Sequence, residues 1–293
     1  MASEELTDRL TLRRMLRDAD VRPSKRLGQN FLADPGVLGA IRDAVSAESP
    51  SRIVEIGAGF GAVTSVLASL APDVVAVEID QRLVEALERN VASCDSVAVR
   101  HCDVLDYEIE PASDGGKVVV VGCIPYAITA PILQRIVAQR EAVSAAVLVT
   151  QREVAEKIAV SPGASGSALG VLVRGYADVR LLRRVGRGSF FPVPEVDSTL
   201  WTMHFLERAR FTAGSETFFT MVRAIYGVRR KMLRVALRAY AERECVDDAL
   251  KAAGIEGTVR GETLGFDELD RLARAFERSF ERGEASAATS NVG

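Results

Sequence analysis

From Arg52 to Thr150 short apolar runs alternate with charged, amphipathic stretches. The runs Arg52–Ile56, Val74–Glu78, Ser96–His101, Lys117–Val121 and Ser144–Thr150 are rich in valine and lack strict polar alternation. Strands covered on both faces of a parallel sheet read this way. Between them lie a glycine turn with a helix to Leu70, a charged helix over Gln81–Ser93 and a helix over Ala130–Gln139. This rhythm predicts an α/β fold with a doubly wound parallel sheet. After Gly163, Val179–Val185 and Ser198–Phe205 read as strands that close the sheet antiparallel. Beyond Ser215 the spacing predicts only helices, over Phe218–Ala241, Asp247–Ala253 and Phe266–Phe280, hence a small all-α C-terminal domain. Residues 1–20 read as an amphipathic helix carrying Leu6, Leu10 and Leu16. The expected division is a domain over 1–206 with an N-terminal arm, a helical domain over 207–280 and a disordered tail over 281–293.

Composition narrows the class. With 293 residues, 48% apolar and 26% charged, the chain fits a soluble protein of one large and one small domain. No apolar run approaches the roughly 20 residues of a membrane helix, and Met1–Asp20 lacks a signal peptide's apolar core. Cys94, Cys102, Cys123 and Cys245 show no C-x-x-C pairing, so they read as free thiols in a reducing cytoplasm. Two histidines leave little for a metal site. The expectation is a cytoplasmic monomer with neither membrane nor metal. The net charge of −3 hides an uneven distribution, because Arg174–Arg243 holds 14 Lys or Arg against 6 Asp or Glu. A polyanion partner and a solvated helix face explain that excess equally well.

The chemistry gathers at strand ends. Glu55-Ile-Gly-Ala-Gly-Phe-Gly61 joins a strand to a helix, and its glycines allow a tight turn and a close approach to a ligand. The following helix N-terminus favours a carboxylate or phosphate. Glu78 ends the next strand, placed to accept from two ribose hydroxyls, and Asp103 ends the third, placed to accept from an adenine amine. The spacing is G-x-G-x-G, not the G-x-G-x-x-G of dinucleotide folds. With acids at the ends of strands two and three, it resembles the class I methyltransferases, which implies S-adenosylmethionine as cofactor.

Val121-Gly-Cys-Ile-Pro-Tyr126 ends the fourth strand. In amino-methyltransferases this place resembles Asn or Asp followed by x-Pro-aromatic. An exocyclic adenine amine is a poor nucleophile, and acceptors on its two hydrogens stabilise the charge that grows on nitrogen. The aromatic ring stacks on the extruded base. Here Ile124, Pro125 and Tyr126 are in place, but Cys123 stands where Asn is expected, and a thiol is a weak acceptor. Slower catalysis through a backbone carbonyl, loss of activity with RNA binding retained, and a substitution peculiar to this chain all remain open.

The ordered set Lys25-Arg-Leu-Gly-Gln-Asn-Phe-Leu32, Glu55–Gly61, Val77–Asp80, Cys123–Tyr126, Phe190-Phe-Pro-Val-Pro-Glu-Val-Asp-Ser198, and Arg229-Arg-Lys-Met-Leu233 with Arg260-Gly-Glu-Thr-Leu264 resembles the ribosomal RNA adenine dimethyltransferases, in their small-subunit (16S rRNA) branch. The resemblance implies N6,N6-dimethylation of two adjacent adenosines in the 3′-terminal hairpin of 16S rRNA within the immature small subunit. Position by position it implies that Gln29, Asn30 and Leu32 cover the cofactor, Gly57 and Gly59 face its amino-acid part, Glu78 and Ile79 its ribose, and Asp103 and Val104 its adenine. Cys123 and Pro125 fall in the base pocket, Cys123 also against the cofactor, with Tyr126 on one face of the base and Phe190 on the other. Arg229, Arg230, Lys231 and Arg234 become phosphate contacts, which position RNA without reading its sequence. Three rivals stand beside this reading: the macrolide-resistance branch acting on 23S rRNA, a non-catalytic assembly factor suggested by Cys123, and, more distantly, a nicotinamide dehydrogenase.

Overall fold

The computed structural model describes residues 5–24, 27–164, 166–228 and 230–290, with residues 282–290 as backbone only. Its strands are β1 (Phe31–Leu32), β2 (Arg52–Ile56), β3 (Asp73–Glu78), β4 (Val97–His101), β5 (Val118–Cys123), β6 (Ala145–Gln151), β7 (Ala177–Val185), β8 (Phe190–Phe191) and β9 (Ser198–Phe205). Seven of them form one sheet in the order β4-β3-β2-β5-β6-β9-β7. Neighbours from β4 to β6 pair parallel, and β9 joins β6 antiparallel. The valine runs make this sheet: Val74 to Val77 and Val118 to Val121 are all buried, which is why these strands show no polar alternation.

Helices cover the sheet. They include α1 (Arg9–Asp18), α2 (Pro35–Glu48), α3 (Ala62–Leu67), α4 (Gln81–Val91), α5 (Thr129–Ala138) and α6 (Arg152–Ala159). The sequence reading missed α2. Asp34 caps it by accepting from Gly36 and Val37, Pro35 opens it, and Val37, Leu38, Ile41 and Val45 go into the core. A two-stranded ladder pairs β1 with β8, with Leu32 opposite Phe190 and Phe31 opposite Phe191.

Register fixes the site. Ile56 lies opposite Val77 on one side and Gly122 on the other, so β2, β3 and β5 end level with one another. The Gly57 and Ala58 amides then donate to Val77 O at 2.9 and 3.2 Å, which locks the turn to the neighbouring strand.

The chain divides into two compact units: one running up to Glu156 and including Asp178–Phe205, the other comprising Lys157–Ala177 and everything from Leu206 onward. Sequence reading put Lys157–Ala177 in the first domain. The structure groups it with the second because α7 (Ala168–Tyr176) packs there: Leu206 N–H donates to Tyr176 O at 2.8 Å, and Tyr176 sits edge-on to Phe211, 5.2 Å between centroids. The expected helix over Phe218–Ala241 is broken into α8 (Ser215–Gly227) and α9 (Leu233–Leu237). Gly227 is a poor helix former, and the Leu233 and Arg234 amides are taken by Val259 O and Gly257 O at 2.7 and 2.9 Å. The remaining helices are α10 (Arg243–Ala253) and α11 (Phe266–Ser290). α11 continues where a disordered tail was expected; alanines at 285, 287 and 288 favour that continuation.

Phe190 is 3% exposed and packs with Leu32, Val37, Leu38, Val185 and Leu200. Phe190→Ala is therefore expected to destabilise the chain by about 3–5 kcal/mol. Urea unfolding measures this; a loss below about 1 kcal/mol would place the ring outside the core.

Candidate functional site

A partly enclosed cavity lies at the ends of β2, β3 and β5. Its floor is the turn Gly57–Phe60, its walls are Glu55, Glu78, Ile79, Cys123 and Pro125, and its cover is the segment from Leu27 to Leu32 with Leu6 and Leu12. Of the residues named from sequence, Gln29, Asn30, Leu32, Gly57, Gly59, Glu78, Ile79, Cys123 and Pro125 come together here. A Cβ on Gly57 would project into open space, whereas one on Gly59 would press the Phe31 ring at 3.3 Å. Both glycines have positive φ, +71° and +58°, which suits the tight turn.

Two buried carboxylates dominate the electrostatics. Glu78 is 6% exposed, and its oxygens accept three backbone amides: Oε2 takes Gly59 at 2.8 Å, and Oε1 takes Ile79 and Asp80 at 2.9 and 3.0 Å. A carboxylate has about four acceptor positions, so one remains for a ligand hydroxyl, not the two expected from sequence. Burial raises the Glu78 pKa against those hydrogen bonds. Glu55 is 2% exposed, and its Oε2 has no hydrogen-bond partner. Burial pushes its pKa up to about 7; the nearby Thr64 hydroxyl works against the shift, and the charge of Glu78 adds to it. Burial likewise drives the Cys123 thiol up to about 12, helped by Glu55, so the thiol stays neutral.

The arm is held against the base motif. Gly28, at φ +62°, lies so close to Pro125 that a Cβ would meet Pro125 Cβ at 2.7 Å. Gln29 spends its amide on the arm itself: Oε1 accepts from Ser24 N–H at 2.9 Å, and Nε2 donates to Asp80 at 3.0 Å. It therefore fixes the cover while still lining the cavity. Phe31 packs on Phe60 with centroids 5.0 Å apart.

Other expected residues lie elsewhere. Tyr126 does not line the cavity; its hydroxyl pairs with Ser198 Oγ at 2.7 Å, which fixes the ring beside the Pro125 wall. Phe190 is turned into the core and cannot face a base in this conformation. Asp103 follows β4, the strand beside β3, with Oδ1 accepting from Leu105 N–H at 2.9 Å. Val104 borders a separate small void with Val54 and Ile56. Successive strand residues point to opposite faces, so this is the sheet face away from Glu55. In the second unit Arg234 Nε pairs with Asp247 at 3.0 Å, while Arg230 and Lys231 are exposed. Lys25, Arg26 and Arg229 fall outside the described residues. Sequence reading assigned no role to Leu6, Leu12, Phe31 or Phe60, and none to Glu55 beyond its place in the motif. The signal available for Glu55 was an acid inside an otherwise apolar, buried strand. Among the described residues no acid–histidine–cysteine group suits a metal, and no helix is long and apolar enough to cross a membrane.

The Glu55 shift sets a pH dependence. Between its ordinary 4.5 and about 7, the folded chain holds a proton that the unfolded chain releases. Stability is thus expected to fall as pH rises through that window, with a slope contribution approaching about 1.4 kcal/mol per pH unit. Glu55→Gln should flatten this slope in denaturant titrations at successive pH values; an unchanged profile would remove Glu55 as its source.

Comparison with known proteins agrees with this geometry. The chain is 37% identical to a protein of Geobacter metallireducens named ribosomal RNA small subunit methyltransferase A, over 89% of this chain and 98% of that one. A protein of the same name from Syntrophus aciditrophicus is 34% identical, over 92% and 99%. Among solved structures, the 23S rRNA methyltransferase ErmE superposes with TM-score 0.65 at 27% identity, covering 85% of this chain and all of that one. A dimethyladenosine transferase from Plasmodium falciparum superposes with TM-score 0.73 at 23% identity, covering 85% and 98%, which speaks for the fold. The fold is that of the class I methyltransferases, a Rossmann-like sheet followed by a helical part. The family described as ribosomal RNA adenine dimethylase matches residues 21–274, and this chain belongs to it.

Proposed function

We propose that the chain transfers methyl groups from S-adenosylmethionine to the N6 amines of two adjacent adenosines in small-subunit rRNA. The observation that carries this reading is the level ending of β2, β3 and β5, which sets the Glu55–Glu78 cavity directly beside the Pro125–Tyr126 ledge. Relatives named for the small subunit favour that branch over the 23S enzymes.

The residues present suit the cofactor. Gly57 leaves space where a side chain would intrude, and the unpartnered Glu55 oxygen offers an acceptor for a cationic group. Bound there, S-adenosylmethionine supplies an electrophilic methyl on a sulfonium. Glu78 offers its remaining acceptor position to a ribose hydroxyl, with Ile79 beside it, while Asn30, Leu32 and Phe31 exclude water from above. Asp103 would reach the adenine with the oxygen that does not cap Leu105. Tyr126, fixed through Ser198, presents its ring to an extruded base. The Pro125 carbonyl is occupied by Ile128 N–H and the Thr129 hydroxyl, so a backbone acceptor for the substrate amine has to come from the residue before it. The unit ending at Phe205 carries the chemistry, and the helical unit carries phosphate contacts at Arg230, Lys231 and Arg234. The substrate is the immature small subunit, and the protein acts in the cytoplasm.

Cys123 favours a second reading, an assembly factor with little or no turnover, because a neutral thiol replaces a strong acceptor. Cys123→Asn is expected to raise methyl incorporation on the order of 10²–10³-fold, matching about 2–4 kcal/mol of transition-state stabilisation; equal or lower incorporation into immature 30S particles contradicts the proposed role of this position. Mass spectrometry of rRNA nucleosides from cells with and without the gene tests the whole reading. N6,N6-dimethyladenosine in small-subunit rRNA should depend on the gene.

A further inference from the structure

The corner of the sheet next to Tyr126 carries three arginines that the cofactor and base pockets do not use. β6 and β9 pair to the end, with Gln151 opposite Ser198. Ser198 holds the Tyr126 hydroxyl at 2.7 Å. Its neighbour Asp197 holds two arginine backbones: its carbonyl accepts Arg152 N–H at 3.0 Å, and its Oδ1 accepts Arg187 N–H at 3.0 Å. One dipeptide, Asp197–Ser198, therefore fixes both the aromatic ledge and the roots of two arginines. Arg184, at the end of β7, adds a third cation, because Glu156 Oε1 lies 4.0 Å from both Arg184 Nη2 and Arg152 Nε.

The side chains remain available. Arg152 and Arg184 are 46% and 79% exposed, and Arg187 is exposed. A single carboxylate at 4.0 Å from two guanidinium groups is a loose, solvated pairing of little energy. Asp197 spends an oxygen on a backbone amide. Guanidinium groups whose backbones are fixed but whose heads are solvated suit phosphate, which they bind in forked geometry.

We propose that Arg152, Arg184 and Arg187 form a clamp for the phosphates of the RNA strand flanking the extruded adenosine. This rests on the reading of Tyr126 as the ledge for that base. A base swung out of its stack brings its own backbone to the mouth of the pocket, and the clamp stands one residue from the atom that positions Tyr126. The clamp is sequence-independent; it sets where along the strand the base enters.

The test is fluorescence anisotropy of a labelled 3′-terminal small-subunit rRNA hairpin, titrated with the full chain across a range of salt. The triple variant Arg152→Gln, Arg184→Gln, Arg187→Gln is expected to lose affinity on the order of 10-fold. It should also lower the slope of log K against log salt by about 2, given roughly 0.7 per single-strand phosphate contact. The Arg→Lys triple should keep most of the slope, and S-adenosylmethionine affinity should not change in either variant. Glu156→Gln removes the shared carboxylate and should tighten RNA binding, which tests the clamp even if the triple variant does not fold. An unchanged slope in a folded triple variant that still binds RNA overturns the clamp alone, as does unchanged affinity in Glu156→Gln. If the unaltered chain shows no salt-dependent RNA binding, the substrate reading falls with it.

Discussion

Two carboxylates buried on adjacent parallel strands constrain everything else at this site. Taking a carboxylate out of water costs several kcal/mol unless hydrogen bonds or a counter-charge compensate. Glu78 has its compensation in three backbone amides, supplied by the turn after β2 and by its own strand end. Glu55 has none at Oε2, and the charge of Glu78 makes its own ionisation harder. The pair is tolerated because Glu55 takes up a proton where Glu78 is held by its amides. Glu55 is left able to gain or lose a proton near neutrality, and in the function proposed above a cationic ligand would supply the missing partner.

The arm completes the enclosure. Gly28 against Pro125, Phe31 over Gly59, and the β1–β8 ladder join four segments far apart in sequence: the one ending at Leu32, the glycine turn, the segment carrying Pro125, and the Phe190–Phe191 pair. Arg9 reinforces this by donating to the carbonyls of Gly188 and Phe190. Phe190 thus serves the site from beneath, by seating the ladder that carries Leu32.

Much of this was legible in the sequence. Buried parallel strands announce themselves as apolar, valine-containing runs, so β2, β3 and β6 fall within a residue of their expected bounds, and the glycine turn and acidic ends follow. Non-local pairing was less visible. Nothing in Phe190-Phe191 states which ring faces the core, because that depends on register with Phe31 and Leu32. Nothing in Glu78 states how many backbone amides already claim it, and Val104 has no local signal for the face it occupies. The helical unit misled for a related reason: a 3.6-residue pattern runs through Gly227–Met232, yet the amides of Leu233 and Arg234 are taken by Val259 and Gly257 of a turn distant in sequence. Lys157–Ala177 has a neutral local pattern and takes its place from aromatic packing around Tyr176.

The most direct test of the account is calorimetric titration of the chain with S-adenosylmethionine at mildly acid pH, repeated in buffers of different ionisation enthalpy. There the ligand's amine is already charged, while Glu55 is largely protonated. The account predicts binding accompanied by release of close to one proton, and the loss of that release in Glu55→Gln. Binding with no proton release, or release that persists in Glu55→Gln, would contradict the placement of a cationic methyl donor against the buried carboxylates.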